Sequence, residues 1–193
     1  IIADGLSSDG TAEAVWSLEG LDISLLWLDN PSKIVPTGMN LALQQAKGAI
    51  LVRVDGHCEI APDYISNCVK HLRNSDADGV GGSMDTVGET PLSETIAVAM
   101  SSPFGVGGSA FRTVHAVTMY TDTVPFPAYS RDIVERAGLY DEELVRNQDD
   151  EYNYRIRELG GRILLASDVK SKYYSRGSLK KLWRQYFQYG YWK

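Results

Sequence analysis

Apolar and polar stretches alternate along this chain in a way that predicts a βα-repeating, mainly parallel sheet flanked by helices, an α/β fold. Residues 1–3 read as the end of a strand, and 23–28 as a second apolar strand. Residues 49–54 (Ala-Ile-Leu-Val-Arg-Val) form a short β-branched run behind Gly48, the pattern of a buried parallel strand. Residues 79–84 and 162–166 add two more strands. The 124–130 stretch reads as an edge strand, because a proline cannot donate to a sheet neighbour. Helical spacing marks 12–18, 36–47 (Met39, Leu43 and Ala46 on one face), the segment after Pro62, 92–100, and 149–159, which Gly160-Gly161 stops. Residues 101–112 are glycine-rich and read as a mobile loop. Gly105-Val-Gly-Gly lacks the strand-to-helix setting of a phosphate cradle. Leu179, Leu182, Trp183 and Tyr186 fall at helical spacing, so 178–192 reads as an amphipathic helix.

The length of 193 residues with 44% apolar content suffices for one well-filled core, and one domain over 1–193 is the expectation. No run approaches the ~20 apolar residues of a membrane span. The chain opens on Ile1-Ile2-Ala3-Asp4 without a Met, which reads as a piece of a longer protein. The net charge of −6 argues against nucleic acid as the main partner. Charge is unevenly spread. From Lys170 onward there are seven basic residues and no acidic one, whereas the preceding 169 hold 12 basic and 25 acidic residues. The same tail carries Tyr173, Tyr174, Trp183, Tyr186, Phe187, Tyr189, Tyr191 and Trp192, a composition suited to a membrane interface or to a helix capping the core. Cys58 and Cys68 follow no metal-ligand spacing and read as free thiols.

Three acidic sites punctuate the pattern: Asp4 after the first strand, Asp55-Gly-His57 past the end of the 49–54 strand, and Asp149-Asp150-Glu151 at a helix start. In open α/β sheets ligands bind beyond the carboxyl ends of strands. Asp55 and His57 both have metal-ligating side chains, so that strand end reads as a metal or phosphate site. Taken singly, each acidic site also suits a turn, a solvated loop or a helix N-terminus.

The order of these motifs resembles family 2 glycosyltransferases. Asp4-Gly-Leu-Ser-Ser-Asp9-Gly-Thr11 is similar to the family's Asp-Gly-x-Ser-x-Asp-Gly-Thr signature, and Asn40 followed by Ala46-x-Gly48 to its approach to the metal strand. Asp55-Gly-His57 falls where the family carries Asp-x-Asp. Gly138-Leu-Tyr-Asp141 and Gln148-Asp149-Asp150-Glu151 with Arg155 resemble two further motifs. Arg-Val-Asp-x-His, Asn-Gln-Asp-Asp-Glu and the Arg184-Gln185-Tyr-Phe-Gln-Tyr189-Gly tail are similar to the bacterial exopolysaccharide branch of the succinoglycan-biosynthesis type.

The resemblance implies a GT-A fold whose first strand and helix precede this chain. It implies inverting transfer of a sugar from a nucleotide sugar, usually a UDP-sugar, to a lipid-linked or polysaccharide acceptor at the cytoplasmic face of the inner membrane. Asp149 would be the catalytic base, with Asp150 as fallback. Asp4, Gly5 and Asp55 would bind the donor. Lys33, in the loop before 36–47, is a further donor-side candidate beside its reading as a solvated lysine. Asp55 and His57 would hold a divalent metal, Mn²⁺ or Mg²⁺. Arg184 and Gln185 are acceptor-side candidates. His57 stands where the family has Asp, and Gln148 where it has Glu. These departures leave open a catalytically silent module that binds a sugar nucleotide or a partner.

Overall fold

The computed structural model describes residues 1–18, 20, 22–106 and 108–192. Gly107 of the glycine-rich stretch and Lys193 of the basic tail lie outside them. Eight strands and nine helices are described, in two sheets. β1 (Ile2–Asp4) pairs in parallel with β2 (Trp27–Asp29). α1 (Thr11–Trp16) connects them, and α2 (Val35–Gln45) leads onward. The larger sheet has the order β3 (Ile50–Val52), β7 (Ala128–Ser130), β5 (Gly79–Val87), β8 (Ile163–Tyr174), β4 (Cys58–Ile60), with β6 (Met119–Thr121) also on β8.

The α/β class holds, but the expectation of a mainly parallel sheet is corrected. In the larger sheet only β5 and β8 run parallel; β3–β7, β5–β7, β4–β8 and β6–β8 are antiparallel. The connections explain it. The 122–127 loop leads from β6 into β7 beside β5, and the 53–57 segment carries the chain from β3 to β4, which pairs with β8 and not with β3. β7 is also internal rather than an edge. Pro125 and Pro127 lie ahead of the paired stretch, and Pro127 contributes its carbonyl, which accepts from Arg53 N at 3.0 Å.

Period-2 alternation sorts the core onto two faces. Ala128, Leu164 and Ala166 pack with Val80, Met84, Tyr64, Cys68, Ile96 and Met100, under α3 (Tyr64–Asn74) and α4 (Pro91–Met100). Their neighbours Tyr129, Ile163 and Leu165 face the other way, with Ile133, Tyr140, Tyr152 and Ile156, under α7 (Arg131–Ala137) and α8 (Gln148–Glu158). Met39 and Leu43 of α2 join this second face as their spacing predicts. β8 runs well past residue 166. The register jumps between Gly82 and Ser83, whose partners are Ala166 and Lys170. Gly82 permits that bulge: a Cβ there would lie 1.8 Å from Val169 O.

Residues 101–112 are not one open loop. They hold α5 (Pro103–Val106) and the start of α6 (Ala110–Thr113). Gly105 sits so close to α4 that a Cβ would meet Ala99 O at 2.0 Å, so its small size serves packing. α9 (Leu179–Tyr191) closes the chain, with Ser178 Oγ accepting from Lys181 N at 3.3 Å. Among the described residues no helix is long and apolar enough to cross a membrane. Cys58 and Cys68 are free thiols, half-buried and buried.

Candidate functional site

A cleft of about 980 Å³ opens at the end of β3 and is walled by the start of α8, the α5–α6 region, the end of β8 and α9. Asp55, His57, Asp149, Asp150, Arg184 and Gln185 all line it. Asp4, Gly5 and Lys33 do not. They gather instead at the carboxyl end of β1 and β2, where a Cβ on Gly5 would lie 3.7 Å from Lys33 Cα. Val35, two residues past Lys33, reaches the cleft wall.

The Asp4 loop is built by its own serine. The Asp4 carboxylate accepts from Ser7 N at 2.7 Å and from Ser7 Oγ at 2.5 Å. These two bonds hold its carboxyl below the ordinary range. Leu6 and Lys33 both take the left-handed backbone conformation, at φ 62° and 57°.

At the β3 end, Arg53 and Asp55 form a two-pronged ion pair, Nε to Oδ1 at 2.8 Å and Nη2 to Oδ2 at 3.0 Å. Burial works against the Arg53 charge, but the Asp55 and Asp149 carboxylates more than offset it and hold the guanidinium firmly protonated. Of the two acids, Asp55 alone is at ion-pair distance from Arg53; Asp149 acts on it as a charge across the cleft. His57 is exposed on one side, and its ring meets Tyr173 edge-on at 5.3 Å. Partial burial, together with Arg176, Arg53 and Arg146, lowers its pKa against the pull of Asp55.

Asp149 and Asp150 open α8, where the helix dipole favours acids. The Asp149 carboxylate accepts no hydrogen bond from the described residues. Asp150 is the more exposed of the two. Glu151 pairs with Arg155 (2.6 Å), as its spacing predicts, and Arg155 Nη1 also donates to Ala137 O and Leu139 O, both at 2.7 Å. Asn40 grips the same turn from α2, donating to Tyr140 O (3.0 Å) and Glu142 Oε1 (2.8 Å) and accepting from Tyr140 N (2.8 Å). Tyr152 stacks on Tyr140 with centroids 4.0 Å apart. The separated motifs around Asn40, Gly138 and Asp149 are thus one brace behind the α8 start.

Two buried amide oxygens on this cleft, Gln148 Oε1 and Gln185 Oε1, have no partner among the described residues. Gln185 Nε2 donates to Tyr173 OH (3.2 Å) and Tyr189 OH (2.8 Å), which fixes the inner face of α9. His71 and His115 lie elsewhere, paired with Asp168 (2.6 Å) and Asp85 (3.4 Å).

Among the described residues no three His, Cys, Asp or Glu side chains form a self-contained metal cage. Asp55 and His57 nevertheless fit a divalent ion shared with a ligand. Hard cations of the Mg²⁺ type commonly take one or two protein ligands and complete their shell from substrate phosphates. Each Asp55 oxygen keeps a lone pair beyond its bond to Arg53.

Arg53, Arg112, Arg146, Tyr173 and Arg176, none of them a candidate from the sequence, also stand on the cleft wall. Arg53 carried a signal: a lone charge inside an apolar strand, two residues before Asp55 and so on its face. The others come from the α6, 138–147 and β8–α9 segments, which only the tertiary fold brings to the cleft.

Residues 1–136 match the model of "Glycosyl transferase family 2". The chain is 35% identical over 192 residues to the succinoglycan biosynthesis protein ExoA of Rhizobium meliloti (strain 1021), covering 98% of this chain and 58% of that protein. It is 24% identical to a dolichyl N-acetyl-alpha-D-glucosaminyl phosphate 3-beta-D-2,3-diacetamido-2,3-dideoxy-beta-D-glucuronosyltransferase of Methanococcus voltae, covering 98% of this chain and 61% of that protein. The chain thus spans about three fifths of these relatives. Among solved structures it is similar to the Pyrobaculum calidifontis mannosyltransferase PcManGT in complex with GDP-Man and Mn²⁺ (TM-score 0.67, 22% identity, 94% of this chain and 49% of that one). It is likewise similar to S. aureus TarS 1–349 with UDP-GlcNAc (TM-score 0.66, 17% identity, 91% of this chain and 49% of that one). At these identities the structural likeness establishes the GT-A fold.

Proposed function

We propose that this chain, which belongs to glycosyl transferase family 2, moves a sugar from a nucleotide sugar to a glycan acceptor with inversion at the anomeric carbon. The observation that carries the reading is the convergence of Asp55, His57 and Asp149 on one cleft, with Arg53 paired to Asp55. A UDP-sugar is the first donor to test. The acceptor is lipid-linked or a polysaccharide, in exopolysaccharide or cell-surface glycan synthesis, as the ExoA relative suggests.

Asp149 is the base. Inversion needs a carboxylate on the face of the sugar opposite the leaving nucleotide, within reach of the acceptor hydroxyl, to take its proton as the new bond forms. A carboxylate with no hydrogen bond from the described residues is free to accept that proton. Asp150, the fallback, is more exposed. Asp4 and Gly5 hold the nucleoside end, Lys33 approaches the diphosphate, and Asp55 contacts the ribose or the metal shell. Asp55 and His57 are the residues that would hold Mn²⁺ or Mg²⁺; bound there, the ion supplies positive charge to a leaving diphosphate. The bare oxygens of Gln148 and Gln185 suit sugar hydroxyl donors, and Arg184 and Gln185 mark the acceptor side. Residues 1–193 act as one catalytic unit.

α9 presents a second face. Leu179, Trp183 and Phe187 are spaced four residues apart and exposed, with Lys180 and Arg184 beside them. That face suits the headgroup region of an anionic membrane on the cytoplasmic side, where a lipid-linked acceptor would lie.

The reading is tested by incubating the protein and Mn²⁺ with UDP- and GDP-sugars, with and without membrane extract. Nucleotide release and the anomeric configuration of the product are read by NMR. An inverted product supports it; absence of release from every donor contradicts it.

A further inference from the structure

Two guanidinium groups on the cleft wall are drawn in from solvent, Arg53 and Arg112. Arg53 has Asp55. Arg112 has no carboxylate at ion-pair distance among the described residues. One hydrogen bond holds it, Nη1 to Thr86 Oγ1 at 2.8 Å. Two rings lie against it, Phe111 at 5.5 Å and Tyr173 at 5.4 Å from the guanidinium carbon to the ring centroids. A guanidinium offers five N–H donors in a planar fork. The described residues use one of Arg112's.

Sequestering a cation without a counter-charge is costly. Burial indeed lowers the Arg112 pKa, with the Tyr173, Tyr189 and Tyr186 phenols opposing. The fold nevertheless keeps this group on a cleft wall, aligned by two rings. Tyr173 also joins it to the site already described, because the same ring receives His57 edge-on. Arg146 and Arg176 line the same cleft and act on His57 as positive charges.

We propose that Arg112, supported by Arg146 and Arg176, forms a phosphoryl-binding subsite of this cleft, additional to the strand-end pair Asp55 and His57. The planar fork matches phosphate oxygens two at a time, and a gathering of guanidinium groups on one wall suits a multiply charged anion. The inference rests on the reading of the cleft as a sugar-transfer site. The phosphoryl group belongs either to the diphosphate of the donor or to a phosphate on a lipid-linked acceptor.

Calorimetric titration of the full chain with pyrophosphate, with UDP plus Mn²⁺ and with a short-chain polyprenyl phosphate tests it, on wild type, Arg112→Gln and Arg112→Lys. Arg112→Gln should weaken pyrophosphate binding at least tenfold, and Arg112→Lys should restore part of it. A parallel loss for UDP identifies the donor as the source. A loss for polyprenyl phosphate with UDP unchanged identifies the acceptor. Unchanged pyrophosphate affinity in a folded Arg112→Gln overturns the proposal. If that variant does not fold, the Arg112 side-chain ¹⁵N resonance of the wild type, followed during pyrophosphate addition, decides: a shift supports the subsite, and none overturns it. Failure of the transfer reading is seen separately, as absence of nucleotide release from every donor by the wild type.

Discussion

Arg53 holds Asp55 through two parallel hydrogen bonds, 2.8 and 3.0 Å long, between residues two apart at the end of β3. The pair fixes the orientation of the carboxylate proposed to meet the donor and its metal. Replacing Arg53 by Ala leaves Asp55 half-buried and unmatched, and should cost about 1.5–3 kcal/mol of stability, the range for a hydrogen bond to a charged group. Arg53→Lys keeps the charge without the fork and should lose less. Urea unfolding of both variants checks the order.

Asn40 and Tyr140 exchange two hydrogen bonds across a hundred residues of chain. Asn40→Ala leaves the Tyr140 amide and carbonyl without this partner in a buried place, at about 1–3 kcal/mol. Loosening the turn behind α8 should also slow catalysis without moving KM as far. Stability and steady-state kinetics on the same variant test both effects.

The motif ends of this brace were legible in the sequence, as were the acids of the cleft. Asn40, Asp55, Asp149 and Arg155 each sit where local pattern placed them. Strand direction was not legible, because apolar content marks a strand as buried without saying which way it runs. The extension of β8 through Lys170 and Lys172 was present as a period-2 alternation, obscured by its charges; Val169, Ser171 and Tyr173 are the buried partners. The cationic wall, Arg112 above all, arises from packing of α6 against β5 and β8, which no local spacing encodes.

Acid should test the Asp4 loop. Its carboxyl lies below the ordinary value of about 3.9 because Ser7 donates to the charged form. A lowered folded pKa means that the unfolded chain binds more protons near pH 4. This stabilisation is therefore complete above the unfolded pKa and is lost as pH falls through the folded one. Ser7→Ala should raise the Asp4 pKa toward its ordinary value, read by carboxyl ¹³C titration, and flatten that part of the stability curve.

Metal affinity examines the strand end. Mn²⁺ titrated with UDP present should bind at least tenfold more weakly to His57→Ala, and chelation with EDTA should suppress nucleotide release by the wild type. Unchanged Mn²⁺ affinity in His57→Ala removes His57 as a ligand.

Asp149 is proposed as the base of a sugar transfer carried out in this cleft. Nucleotide release by Asp149→Asn, measured beside the wild type on the donor that the panel identifies, addresses it most directly. A loss of roughly 10²–10⁴-fold is expected, the scale of general base catalysis, with UDP affinity held within a few-fold. Release by Asp149→Asn at the wild-type rate would contradict the account.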